Sequence, residues 1–309
     1  MRSTLRLFCS LSFLIASSAS AVTMNWTFVG NAGNAADTTG FGAVGYDYNI
    51  GTYEVTNAQY TEFLNAVGAT DTNGIYNQGT NGILRTCTPN CTYTAVAARA
   101  STPVNFVTFY DVLRFANWMH NGQPSGAQDN TTTEDGAYTI TAQGIANNSI
   151  TRNPGATIFL TSEDEWYKAA YHNAIGLTSS DYFDYPVGSN TQTTCSLPPG
   201  GTNHANCGLP DVTPVGSYIN SDSPYGTFDQ GGNVFEWNEA IIDGTFRGMR
   251  GGSHLLGPVN LAASTRALRG PSDSTVILGF RVAMIPEPGT GLLVIAGLLG
   301  LAGWRRASA

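Results

Sequence analysis

Thirty-six glycines among 309 residues are the strongest constraint this sequence places on a fold. Glycine opens backbone conformations closed to other residues and weakens the interior of helices and strands. Here it recurs with Asn, Thr and aromatic residues, the make-up of a chain with short regular elements and many turns on a compact centre. Only 12% of the residues are charged, against about 25% in an ordinary soluble domain, so the surface is polar and largely neutral.

Helix signals are correspondingly few. Thr56-Asn57-Ala58-Gln59 forms a capping box, followed by the apolar stripe Tyr60, Phe63, Leu64 and Val67 and closed by Gly68. "FYDVLRFANWMHN" (109–121) places Val112, Leu113, Phe115, Ala116 and Met119 at helical spacing. Ser162-x-x-Glu165 opens a third helix running to His172, with an acidic first turn that suits the helix dipole. Residues 22–50 read as β-rich, 69–102 as loop, and 173–284 as loops and short strands. Neither a repeat nor a linker divides 22–284, so the expectation is one loop-rich α+β domain.

Both ends read as targeting segments. Arg2 and Arg6 precede an apolar run at 7–16, and Ala19-Ser20-Ala21 supplies a small-residue cleavage pattern, so residues 1–21 read as an export signal peptide. At the other end, Pro286-Glu287-Pro288, an apolar stretch at 291–304 and Arg305-Arg306 make a tripartite tail, 285–309. Its apolar part is shorter than the ~20 residues of a comfortable membrane span. The tail resembles the PEP-CTERM sorting signal of Gram-negative bacteria. That resemblance implies an exosortase-type partner, a membrane contact through the C-terminal segment, and a place at the cell surface or in extracellular matrix.

Without the four terminal arginines, ten basic residues face twenty-two acidic ones, a net charge of −12 for 22–304. Such a surface repels nucleic acid and favours divalent cations. Four cysteines remain: Cys87, Cys91, Cys195 and Cys207. An even number in an exported chain favours disulfides, and the local pairs Cys87–Cys91 and Cys195–Cys207 are expected. Zinc is the competing use, although neither spacing is the tight C-x2-C knuckle.

Seven segments in order resemble the formylglycine-generating enzyme, or sulfatase-modifying factor, domain family. They are "YEVTNAQYTEFLNAV" (53–67), "TPVNFVTFYDVLRFANWM" (102–119), "IFLTSEDEWYKAAY" (158–171), "PVGSY" (214–218), "YGTFDQGGNVFEW" (225–237), "RGGSH" (250–254) and "GFRVAM" (279–284). Phe159 stands where relatives usually have Arg. The resemblance spans roughly 46–284 and implies a C-type-lectin-like α+β fold.

It also implies site residues. The loop "DQGGNVFEW" would bind calcium through Asp229, the carbonyls of Gly232 and Val234, and Glu236, an all-oxygen set that suits this ion. A second calcium site would draw on Asn206, the carbonyl of Cys207, and Asp211, at a shortened spacing. The family's enzymes bind copper(I) through two cysteines after the Arg-Gly-Gly-Ser run, soft ligands for a soft ion. Leu256 and Leu261 occupy those positions, and 208–309 holds no cysteine, so no copper and no oxidase reaction are expected.

Other chemistry finds little support. His120, His172, His204 and His254 show no H-x3-H or H-x-H spacing for an iron site, and Ser253 beside His254 lacks a nucleophile motif. Phe235, Arg250, Ser253, His254 and Arg266 would line the family's ligand cleft, with Arg250 and Arg266 equally suited to internal salt bridges. The expectation is therefore a calcium-stabilised module of the cell surface or matrix, binding an unidentified peptide or glycan or purely structural. The alternative is an oxidoreductase of the family with a different metal site.

Overall fold

The computed structural model describes residues 21–175 and 181–286, so the signal peptide and sorting tail fall almost entirely outside it. Among the described residues no helix is long and apolar enough to cross a membrane. The chain runs through β1 (Trp26–Val29), β2 (Tyr48–Gly51), α1 (Asn57–Val67), β3 (Ile83–Cys87), β4 (Cys91–Ala95), α2 (Phe109–His120) and α3 (Ala142–Ala146). It continues with β5 (Ile158–Leu160), α4 (Glu163–Tyr171), β6 (Thr194–Cys195), β7 (His204–Ala205), β8 (Phe235–Ile242) and β9 (Phe246–Arg250). β10 (Ala267–Arg269), β11 (Leu278–Gly279) and β12 (Val282–Met284) complete it.

One antiparallel sheet has the order β1-β2-β12-β5, with Ile50 opposite Ala283, so the first strands pair with the last. The second, β10-β9-β8-β11, is a β8–β9 hairpin flanked by antiparallel β10 and parallel β11. Helices α1 and α2 pack their aromatic faces into the core. Phe63 meets Phe115 edge-on at 5.4 Å, and Phe115 meets Phe280 at 5.3 Å. Such edge-to-face pairs each add about 0.5–1.5 kcal/mol beyond the area they bury.

The local signals fix the helix starts. Thr56 with Gln59, and Ser162 with Glu165, make reciprocal capping boxes, and Gly68 closes α1 by donating its N–H to the Leu64 carbonyl. α2 is capped the same way by Thr108 and Asp111, a box with Asp in place of the usual Glu or Gln. Residues 69–102 are not all loop: β3 and β4 form a hairpin whose turn is closed by the Cys87–Cys91 disulfide. The turn "TPN" carries neither Asn-Gly nor Asp-Gly, the pair that marks a tight hairpin in sequence. Residues 22–50 are also less regular than their composition suggests, since β1 and β2 enclose 18 residues without a strand.

The second disulfide joins Cys195 of β6 to Cys207, two residues beyond β7. Closing a loop of sequence separation 12 removes chain entropy worth about 3 kcal/mol, against about 2 kcal/mol for the separation of 4 at Cys87–Cys91. Replacing both Cys195 and Cys207 with Ser should therefore lower the unfolding free energy by about 3 kcal/mol in urea titration. An equal or smaller loss than for the Cys87/Cys91 pair would refute that ranking.

Candidate functional site

Three loops meet beside the start of β8 and the end of β9: 204–216, 229–234 and 250–261. Backbone hydrogen bonds stitch them together. Gly232 donates to the Gly251 carbonyl at 2.8 Å, Asn233 to the Asn206 carbonyl at 2.9 Å, and His254 to the Asn233 carbonyl at 2.9 Å. Glycine is required at two of these positions. Gly232 and Gly251 have φ of +92° and +97°, and a Cβ would lie 2.3 Å from the Asn206 carbonyl oxygen and 2.7 Å from that of Gln230.

Under these loops lies a buried charge group. Arg281 is fully buried and meets Glu236 with Nε at 2.5 Å and Nη2 at 2.7 Å. Its other N–H groups go to the carbonyls of Gly51 and Phe228, each at 2.9 Å. Trp166 Nε1 donates to Glu236 Oε2 at 2.7 Å, so both Glu236 oxygens are engaged. Asp229, held in the left-handed region at φ 59°, accepts from the Gly216 N–H at 2.6 Å through Oδ2. Burial pushes its carboxyl up to about 6. Glu54 is 1% exposed, and neither of its oxygens has a hydrogen-bond partner among the described residues. Burial, then the charge of Asp229, hold its pKa well above the usual carboxylate range.

The calcium set implied by the sequence is therefore only partly assembled. Asp229 keeps an oxygen free of hydrogen bonds and faces a cavity of about 10 Å³, lined also by His204, Tyr218, Thr227 and Gln230. That is room for one water-sized species. Glu236, by contrast, is already neutralised by Arg281. The second set does not converge. Asp211 turns its carboxylate to the Arg99 guanidinium, with Nη1 at 3.1 Å, while Asn206 Nδ2 donates to the Asp211 backbone carbonyl at 3.0 Å. The five-residue spacing puts Asn206 and Asp211 on one tight loop, so the two side chains diverge. Asn206 Oδ1 stays buried and unpartnered among the described residues.

Four of the five residues expected to line a cleft are packed away: Phe235, Arg250, Ser253 and His254 are each at most 4% exposed. Arg250 bonds Glu163 Oε1 at 2.9 Å and the carbonyls of Ala263 and Thr265, with its guanidinium 4.6 Å from the Phe41 ring centre. Arg266, partly exposed, pairs with the same Glu163 at 2.6 Å. Both arginines are thus internal braces. His254 Nδ1 donates to the Asn233 carbonyl at 2.8 Å, fixing the ring against the loop that precedes β8. Ser253 Oγ is buried without a described partner.

Leu261 is fully buried with Tyr185, Ala205 and Cys207, and Leu256 packs half-buried against the main core. Although 208–309 holds no cysteine, the fold brings one pair to these positions. The Cys195–Cys207 bridge sits in the Leu261 cluster, and Gly208 donates its N–H to the Leu256 carbonyl at 2.8 Å. The fold brings residues 195–208 across from 254–261, a juxtaposition invisible in sequence distance. As a disulfide the pair presents no thiolate for copper(I).

Sequence reasoning missed Glu54, Glu163, Trp166 and Arg281. A signal was present for two of them: Glu54 lies in "YEV" and Arg281 in "GFRVAM", charges set within apolar runs that need a buried partner.

Fold and site together define a loop-rich α+β protein of the formylglycine-generating-enzyme class. Residues 34–285 match the sulfatase-modifying factor enzyme 1-like domain, and the chain belongs to that family. Similar solved structures include CarF, at 19% identity, covering 86% of this chain and 99% of that one with a TM-score of 0.54. Treponema denticola variable protein 1 is 20% identical over 78% of this chain and 85% of that one, TM-score 0.50. At these identities the likeness shows the fold alone. No curated protein matches the sequence.

Proposed function

We propose that this chain is a non-catalytic member of its family, a calcium-stabilised binding or structural module exported to the surface or matrix of a Gram-negative bacterium. The observation that carries the reading is Leu261. It is buried against Tyr185, Ala205 and Cys207 at a position where the resemblance calls for a copper-binding thiol. Leu256, the other such position, is likewise apolar and packed. An alkyl side chain can neither ligate copper nor supply the electrons of a thiolate.

The sorting tail supports anchorage and an exosortase-type partner, and the acidic balance argues against nucleic acid as a ligand. A peptide or glycan is the partner such a module would display itself to. Calcium would act through Asp229 and the neighbouring carbonyls of Gly232 and Val234, bracing the loops rather than taking part in chemistry.

Two measurements test this. Copper(I)-loaded protein given a cysteine-containing peptide should yield no formylglycine, and glycan and peptide arrays should reveal saturable binding. Copper or iron retained near one equivalent after chelation and dialysis would favour the oxidoreductase alternative. For calcium, removing the ion should lower the Tm and restoring it should recover the loss, since a ligand bound only by the folded state must stabilise it. An unchanged Tm removes calcium from the proposal.

A further inference from the structure

Four of the five side chains expected to line a cleft are packed away, so a ligand needs another concave surface. One lies beyond the end of α4, a cavity of about 450 Å³, within the range of about 300–1,000 Å³ usual for small-ligand sites. None of the five expected cleft residues lines it. Six of its eight lining residues are Asp, Asn or Thr, and the other two are Tyr182 and Phe183. The lining holds no Lys, Arg or His, which disfavours an anionic ligand. It holds no aliphatic side chain either, and so offers little to the apolar residues of a peptide.

Backbone bonds hold this wall and leave its side chains free. Asn173 donates its N–H to the Asp181 carbonyl at 2.9 Å, and Phe183 donates to the Tyr171 carbonyl at 2.8 Å. The Asp184 carbonyl accepts from Ala263 N–H at 2.8 Å, while the Asp184 N–H goes to Asn190 Oδ1 at 3.0 Å. That last bond orients the Asn190 carboxamide and leaves its Nδ2 without a partner among the described residues. The exposed Asp184 carboxylate beside it is equally without one. A carboxylate only accepts hydrogen bonds, and a carboxamide nitrogen only donates them. Side by side they match two adjacent hydroxyls: one gives its proton to Asp184, and the oxygen of the other accepts from Asn190.

The aromatic pair supplies what the C–H face of a sugar ring needs. Tyr182 is fixed by its hydroxyl, which donates to the carbonyls of Ala35 and Gly42, each at 2.9 Å. The acidic residues here do not gather into a cluster fit for a metal ion among the described residues. Spread around the cavity, they suit a ligand that presents several hydroxyls. Since the wall is already pinned, binding orders little that is not ordered beforehand.

We propose that this cavity binds a neutral glycan, with Asp184 and Asn190 reading a pair of adjacent hydroxyls and Phe183 taking the sugar face. This rests on the reading of the chain as a binding module and narrows its ligand to one class.

The test probes one array with the full chain. The array carries neutral oligosaccharides (glucans, mannans, galactans and chito-oligosaccharides), polygalacturonate and a peptide library, and the strongest neutral glycan is then followed by calorimetry. A neutral glycan should bind saturably and polygalacturonate should not. Asp184→Asn alters an exposed side chain, so it should leave the Tm unchanged and weaken the glycan about tenfold or more, the worth of a hydrogen bond to a charged group. Phe183→Ala should weaken it as well, and decides the matter should Asp184→Asn fail to fold. A glycan held equally by wild type and both variants overturns this site and leaves the binding module standing. Polygalacturonate or a peptide bound in place of neutral glycans overturns the ligand class alone. A chain that binds nothing on the array overturns both readings.

Discussion

Replacing Arg281 with methionine should lower the unfolding free energy by about 3–5 kcal/mol, the range for breaking a buried ion pair by removing one partner. For a domain of this size that is a fall in Tm of about 10 °C. Methionine fills much of the volume, so the loss is electrostatic and polar rather than a cavity. Glu236 keeps only Trp166 Nε1, and the carbonyls of Gly51 and Phe228 lose their donor. The control is the double variant Arg281→Met with Glu236→Gln, which removes the stranded charge and should recover more than 1 kcal/mol of the loss. If the single variant melts within 2 °C of wild type, Arg281 is not what holds the loop before β8.

The same residues show what could be read in advance. Helices α1 and α4 begin where Thr56 and Ser162 promise, because a capping box is complete within four residues and owes nothing to distant packing. The family frame was legible too, carried by ordered short motifs. The pairing of β2 with β12 was not, since Ile50 and Ala283 meet only after the whole chain has folded. Nor was the charge group, whose members come from residues 54, 229, 236 and 281.

Phe159 is instructive on this point. It stands where the family resemblance would put an arginine, and sequence alone leaves the buried Glu165 without an evident partner. The fold supplies Arg152, which lies 3.6 Å over the Phe159 ring and bonds both Glu165 and Glu239 at 2.7 Å. Local sequence shows only that position 159 carries no guanidinium. Only the tertiary arrangement shows one brought in beside it.

Glu163 provides the sharpest test of whether the Arg-Gly-Gly-Ser segment is a ligand surface or a brace. Its two oxygens neutralise both Arg250, which is buried, and Arg266, which is partly exposed. Glu163→Gln should cost about 3 kcal/mol, near the lower end for a broken buried pair, because Arg250 retains the Ala263 and Thr265 carbonyls and its place over Phe41. Arg266→Gln should cost well under 1 kcal/mol, since solvent screens an ion pair whose arginine side chain is 37% exposed. The asymmetry is the diagnostic, and urea denaturation of the two variants reads it directly. Were Arg250 held for a bound anion rather than for the fold, Glu163→Gln would leave stability nearly intact and strengthen anion binding. A loss near 3 kcal/mol with no gain in sulfate or phosphate binding makes the segment a structural brace. The motif would then mark the family's fold rather than a place where a ligand is held.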